Sequence, residues 1–145
     1  MANTAAIATT FKAEILRAEH NMSSSGGHTL RFALYYATGS LGAATATYTT
    51  TSEVTGTNYV AKGVTADMTN NPTTSGTVGY WTPGAAASWG TLTAAAFDAA
   101  LLYNDTHASD AAIALYTFGS QTVTAGNFSL SMPSNTSAAA LLRIA

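Results

Sequence analysis

From Gly27 onward the apolar residues alternate with a period of two, in short runs separated by Gly, Pro, Asn and Ser. That is the pattern of half-buried β-strands, and it leaves little room for another fold class. In TLRFALYYA, Leu30, Phe32, Leu34 and Tyr36 fall on one face and Arg31, Ala33 and Tyr35 on the other, which predicts a strand with one face in a core. TNYVA (57–61), VGYWT (78–82), TLTAAAFDAALLY (91–103), IALYTF (113–118), NFSLSM (127–132) and AALLRI (139–144) read in the same way. Residues 39–56 read as a long connection with a helical turn near 52–54, and 63–76, with Gly63, Asn70, Asn71, Pro72 and Gly76, as a loop. The Ala-rich run 94–100 favours helix by propensity, but its Thr neighbours and the LLY that follows place it in a strand. The expected fold is mainly β: an antiparallel β-sandwich of about seven strands with one N-terminal α-helix. Leu30, Phe32, Leu34, Leu101, Tyr103, Ile113, Leu115, Phe118, Phe128, Leu130, Leu142 and Ile144 are its expected core.

The helix is the exception to the period of two. In TTFKAEILRAEHNM, Phe11, Ile15, Ala18 and Met22 recur on one helical face, with Thr9 or Thr10 as N-cap and a weak Glu14–Arg17 pair. SSSGG ends it. The chain therefore divides into an N-terminal helical segment, 1–26, and a β-sandwich domain, 27–145. Four of the chain's charges lie in this segment: Lys12, Glu14, Arg17 and Glu19. Its apolar face (Phe11, Ile15, Met22) either docks with them on a partner or covers one side of the sandwich.

Charge bears on function. A folded monomer of this mass exposes about 7,000 Å². Only five Lys and Arg and seven Asp and Glu are available to cover it. Charged residues make up 8% of the chain, against about 25% in an ordinary soluble domain. Thirty Ala and twenty-five Thr fill the gap. A surface of this kind, at net charge −2, repels copies of itself weakly and suits being covered by neighbours. Five scattered Lys and Arg make no phosphate footprint, so nucleic acid is not an expected partner. There is no Cys, hence no disulfide framework or thiolate metal site. No apolar run reaches eighteen residues, so no membrane span is expected. MANTAAIATTF lacks the basic start and long apolar stretch of a secretory signal.

The stretch that most invites a chemical reading is NDTHASD (104–110), which sets His107 near Asp105 and Asp110 and beside Asn104. A His among carboxylates suits a metal or a proton transfer, but the same residues are common in a solvated hairpin turn, and the turn is the expected reading. The other imidazoles, His20 and His28, form a three-His site only if distant segments converge. GTNYVAKG (56–63) lacks the spacing of a phosphate loop, and Lys62 is expected to point into water. Trp81 and Trp89 flank TPGAAAS; they either stack on a sugar ring or fill a core edge or interface. Arg143 reads as an exposed charge on a terminal strand, or as protection for a sheet edge. No catalytic residue, cofactor or metal site is expected.

Several segments together resemble a family of small virion structural proteins of tailed bacteriophages. They are FKAEILRAEHNM, LRFALYYATGSLGAATATYTTTSEVTGTNYVAKG, WGTLTAAAFDAALLYN (89–104), AIALYTFGSQTVTAGNFSLSMP (112–133) and AALLRIA. The likeness covers most of the chain through short patterns. It departs at DMTNNPTTSGTVGYWTPGAAAS (67–88), and in TLTAAAFDAA, where Asp98 is the only charge. The resemblance implies a place in the virion and supplies no catalytic residue. With the low charge, it leads to an expected role as a capsid decoration (cement) protein on the outer surface of the phage head. The expected partners are the major capsid protein and copies of the chain itself. A tail or head–tail connector subunit is one alternative. A carbohydrate-binding attachment module, with Trp81 and Trp89 as platforms, is another.

Overall fold

The structure, a computed structural model, describes residues 2–145. It is mainly β, with two antiparallel sheets and one short helix. β1 (Ala6–Ile7), β2 (Leu30–Tyr36), β3 (Val64–Thr65), β6 (Ala87–Asn104) and β7 (Ala111–Leu130) form a five-stranded sheet in the order β1-β7-β6-β2-β3. β4 (Thr73–Ser75), β5 (Val78–Trp81) and β8 (Leu142–Ile144) form the second sheet, in the order β4-β5-β8. Among the described residues there are eight strands, against the expected seven or so.

With the exception of TNYVA (57–61), the alternating patterns do contribute to strands, and the Ala-rich run lies inside β6. The largest departure is in length. IALYTF and NFSLSM are parts of one twenty-residue strand, because GSQTVTAG continues the pairing with β6. Gly119 and Ala125-Gly126, which look like breaks, sit instead at irregularities of a ladder whose register shifts five times. Thr91, Ala96 and Ala125 take left-handed backbone there, at φ 50°, 55° and 46°. Such bulges bend a strand without ending it.

β2 is buried on both faces rather than one. Ala33 and Tyr35 are as inaccessible as Phe32 and Leu34. The connection before β3 lies over the second face: Tyr48 stacks on Tyr103, at 5.0 Å between ring centroids, and the Tyr35 hydroxyl donates to the Thr49 carbonyl (2.7 Å). TNYVA is not a strand; its backbone bridges to β6 at one point, Thr57 to Thr93, and Asn58 and Lys62 are left-handed. No helical turn forms at 52–54, where Glu53 bridges to Tyr35. The expected loop 63–76 contains β3 and β4.

α1 (Thr9–Leu16) is shorter than the apolar spacing predicts, since Ala18 turns left-handed at φ 59°. Its N-cap is Ala8, with no side-chain cap, so neither Thr9 nor Thr10 plays that part. Residues 2–26, the described part of the expected N-terminal segment, do not stand apart from the rest. β1 pairs with β7, the Thr4 amide donates to the Leu41 carbonyl (2.9 Å), and Phe11 and Met22 belong to the same core as β2, β6 and β7. Of the expected core, Phe118, Phe128 and Leu130 are half-buried and Ile144 is exposed, on the edge strand β8. No helix among the described residues is long and apolar enough to cross a membrane.

Candidate functional site: a three-histidine junction

Asn104 ends β6 with its side chain fully enclosed. Its Oδ1 accepts from the backbone amides of Thr106 (3.1 Å) and His107 (3.3 Å), which fixes the hairpin turn. Backbone amides can only donate, so this contact orients the side-chain amide and turns Nδ2 the other way. There Nδ2 donates to His28 Nδ1 (2.8 Å) and His20 Nδ1 (3.1 Å), with the Glu19 carbonyl at 3.4 Å. Both imidazoles therefore present a lone pair at Nδ1. His20 then carries its proton on Nε2 and donates it to Glu14 Oε2 (2.9 Å). The third ring closes the group: His107 stacks on His20, at 6.0 Å between centroids, and its Nε2 lies 3.4 Å from Glu19 Oε2.

The distant segments thus converge. His20 follows α1, His28 precedes β2, and His107 caps the β6–β7 turn. The Thr29 amide donates to Thr106 Oγ1 (2.8 Å) and the Asp105 amide to the Thr29 carbonyl (2.9 Å), so backbone contacts tie the same two loops. The His20 side chain is fully buried and meets the edge of Phe11 at 4.9 Å. Burial holds its pKa below the ordinary imidazole value, against the pull of Glu14, and positive charge on His107 and His28 acts in the same direction as burial.

The carboxylates of NDTHASD do not serve His107. Lys62, expected in water, bridges them: Nζ donates to Asp110 Oδ2 (2.9 Å) and Asp105 Oδ1 (3.1 Å), and both bonds raise its pKa, that to Asp110 the more. Glu19 pairs mainly with Arg17, which lowers the carboxyl pKa and raises that of the guanidinium. The expected Glu14–Arg17 pair is absent because each has taken another partner.

A Ser–His–acid string does occur: Ser109 Oγ lies 3.0 Å from His107 Nδ1, with Glu19 beyond Nε2. Its members have other partners as well. Ser109 belongs to the same tight turn and directs its backbone amide at that nitrogen too (3.3 Å), and Glu19 is held by both Arg17 nitrogens. Among the described residues no group of three or more His, Asp or Glu is arranged to hold a metal ion. His20 has both ring nitrogens engaged within the protein.

Phe11, Glu14 and Met22 are buried, Ile15 and Glu19 half-buried, and Lys12 and Arg17 exposed, so the apolar face of α1 covers its own sheet. Leu16, not singled out in the sequence, is 87% exposed. Trp81 and Trp89 are 2% and 3% exposed. Trp81 donates Nε1–H to the Asn70 carbonyl (3.0 Å), and Trp89 packs on Phe128, whose own ring meets Phe97 and Phe118. Neither ring offers a free face to a sugar, which corrects the platform reading. Arg143 lies on an edge strand and donates to the Ala138 carbonyl (2.8 Å). Between α1 and the second sheet runs a groove of about 580 Å³, walled mainly by apolar side chains including Phe11, Ile15, Trp81 and Leu142.

No protein-family model, curated protein or solved structure matches the chain.

Proposed function

We propose that the protein is a structural component of a tailed-phage virion, most concretely a decoration (cement) protein on the outer face of the head. It has no catalytic role in this reading, and its two sheets pack as a sandwich. One observation carries the proposal: the long β6–β7 ribbon presents almost no charge. Asp98 is the only charged residue of its two strands, and Asp98 accepts from Asn3 Nδ2 (2.6 Å). No charge occurs between Asp110 and Arg143. Thr117, Gln121, Thr122, Thr124 and Asn127 are exposed along β7. A face of neutral residues costs less to desolvate than a charged one and has no counterions to displace, which suits permanent cover by the major capsid protein and by copies of the chain. Affinity for the assembled lattice alone shifts the balance against disassembly, and contacts repeated across capsomer junctions multiply weak affinities. α1 contributes to docking through Lys12, Leu16 and Arg17, since Phe11, Glu14 and Met22 are already occupied in the fold.

Imaging of purified particles with a tag on this chain tests the reading. Label at repeated positions of the icosahedral lattice is the expected result, with heads lacking the protein bursting at lower temperature. Label confined to a ring at one vertex would replace decoration with the connector or tail role, which the same uncharged face also suits. Absence from particles would end both.

A further inference from the structure

We propose that the Asn104 junction is an acid-sensitive clasp: protonation of the His20 ring sets a new N–H against the Asn104 amide and frees residues 17–28 from the tip of the β6–β7 hairpin. The clasp is set by donors and acceptors within the chain, whether or not the protein belongs to a virion.

The two amide hydrogens of Asn104 are committed to His28 Nδ1 and His20 Nδ1, the shorter of its three contacts. A proton arriving on His20 has one place to go, Nδ1, because Nε2 already carries the hydrogen given to Glu14. Two donors then face each other at a spacing of 3.1 Å in an enclosed site. Rotating the amide by half a turn does not relieve this. It would offer Oδ1 to the imidazolium but aim Nδ2 at the amides of Thr106 and His107, which also only donate. The junction thus has one hydrogen-bonding solution, and it requires neutral His20.

The charges around His20 are few. From α1 comes Glu14, its one direct carboxylate. The following loop supplies Arg17 and Glu19, paired with each other, and His28 on the far side of Asn104. His107 stacks on the ring from the hairpin turn, where Asp105 and Asp110 are held by Lys62. Glu14 favours an imidazolium. Burial and the two neighbouring imidazoles oppose it, and the depressed pKa says which side prevails. Once charged, the ring gains by moving into water, and its loop moves with it. Thr29 stays bound by its own backbone bond to Asp105, so the release stops there. The opening uncovers Phe11 and the groove beside Met22, which His20 also lines.

Hydrogen exchange on the full chain tests this, with imidazole NMR titration alongside. As pH falls from about 7.5 through the ordinary imidazole value of about 6.5 and below it, exchange of amides in 17–28, corrected for intrinsic chemistry, is expected to accelerate by up to about tenfold per pH unit, while amides of 99–103 hold. The midpoint is expected to coincide with the titration of the His20 resonance. His20→Gln keeps an acceptor for Asn104 and a donor for Glu14 but does not titrate, and it is expected to abolish the acceleration. Unchanged protection of 17–28 in the wild-type chain would overturn the proposal. So would a midpoint that follows another imidazole, a test that stands even if His20→Gln does not fold. Full pH dependence retained in a folded His20→Gln would overturn it as well.

Discussion

Gly63 and Gly76 both have left-handed backbone, at φ 68° and 59°, yet a side chain would meet very different surroundings. A Cβ on Gly63 would lie 1.8 Å from the Phe32 carbonyl oxygen, whereas at Gly76 nothing lies within 4 Å. Gly63→Ala is expected to cost about 3 kcal/mol or more, since β2 or the turn must move, and Gly76→Ala about 1 kcal/mol, in urea unfolding of the two variants. Glu53 shows the same dependence on surroundings. It is buried and accepts from the hydroxyls of Tyr48 and Tyr59 (2.9 Å for Tyr59) and from the Lys62 amide (2.8 Å). Burial, and then the Glu53 charge, push both phenol pKa values up. Glu53→Ala strands three donors, and the unfolding free energy is expected to fall by about 3 kcal/mol or more. None of this was legible in SEVTG, where Glu53 is one polar residue in a connection. The junction at Asn104 was legible only in its ingredients. NDTHASD draws notice, but its partners His20 and His28 lie 84 and 76 residues away, and nothing in local spacing signals that approach. The one available hint was an Asn placed directly after a fully apolar strand end, where an amide must find partners inside the protein.

At the scale of elements, strand type was readable and strand extent was not. Alternation places Phe32, Leu101 and Ile113 in strands and in the core because it records which side chains must leave water. It is silent on bulges, where the alternation slips although the pairing persists, so the two halves of β7 read as separate strands. Helix ends were obscured in a similar way. Met22 continues the apolar spacing of α1 and is buried, but it reaches the core from a loop after the left-handed turn at Ala18. Inside α1, the Thr10 hydroxyl is buried without a hydrogen-bond partner. Thr10→Val removes the stranded group and keeps the shape. It is expected to leave the chain as stable or to stabilise it by up to about 1 kcal/mol in thermal or urea unfolding, against the usual trend of substitutions at buried sites.

Over the whole molecule, pH is expected to act through His20. The folded chain holds this imidazole neutral, while the unfolded chain takes up its proton as pH falls below about 6.5. Its folded pKa is depressed, so its contribution is complete above the unfolded value and is lost as pH falls through the folded one. The urea midpoint is expected to drop over this interval in the wild-type chain and to drop less in His20→Gln. The class of fold was visible in the sequence because the period of two is a global property, while the sheet order, set by contacts between remote segments, was not. One consequence of the slipped ladder reaches beyond the single copy. Past Tyr116 the outer side of β7 has no neighbouring strand among the described residues, since β1 covers only Ala114 and Leu115. It also lacks the lysines and prolines that commonly keep such borders from recruiting more chains. Four of the five register shifts fall between Trp89 and Ala99, opposite this border. They coil the ribbon and put its donors and acceptors out of step, so a fibre cannot grow from it by simple stacking. Backbone irregularity here does the guarding that ionic side chains do elsewhere.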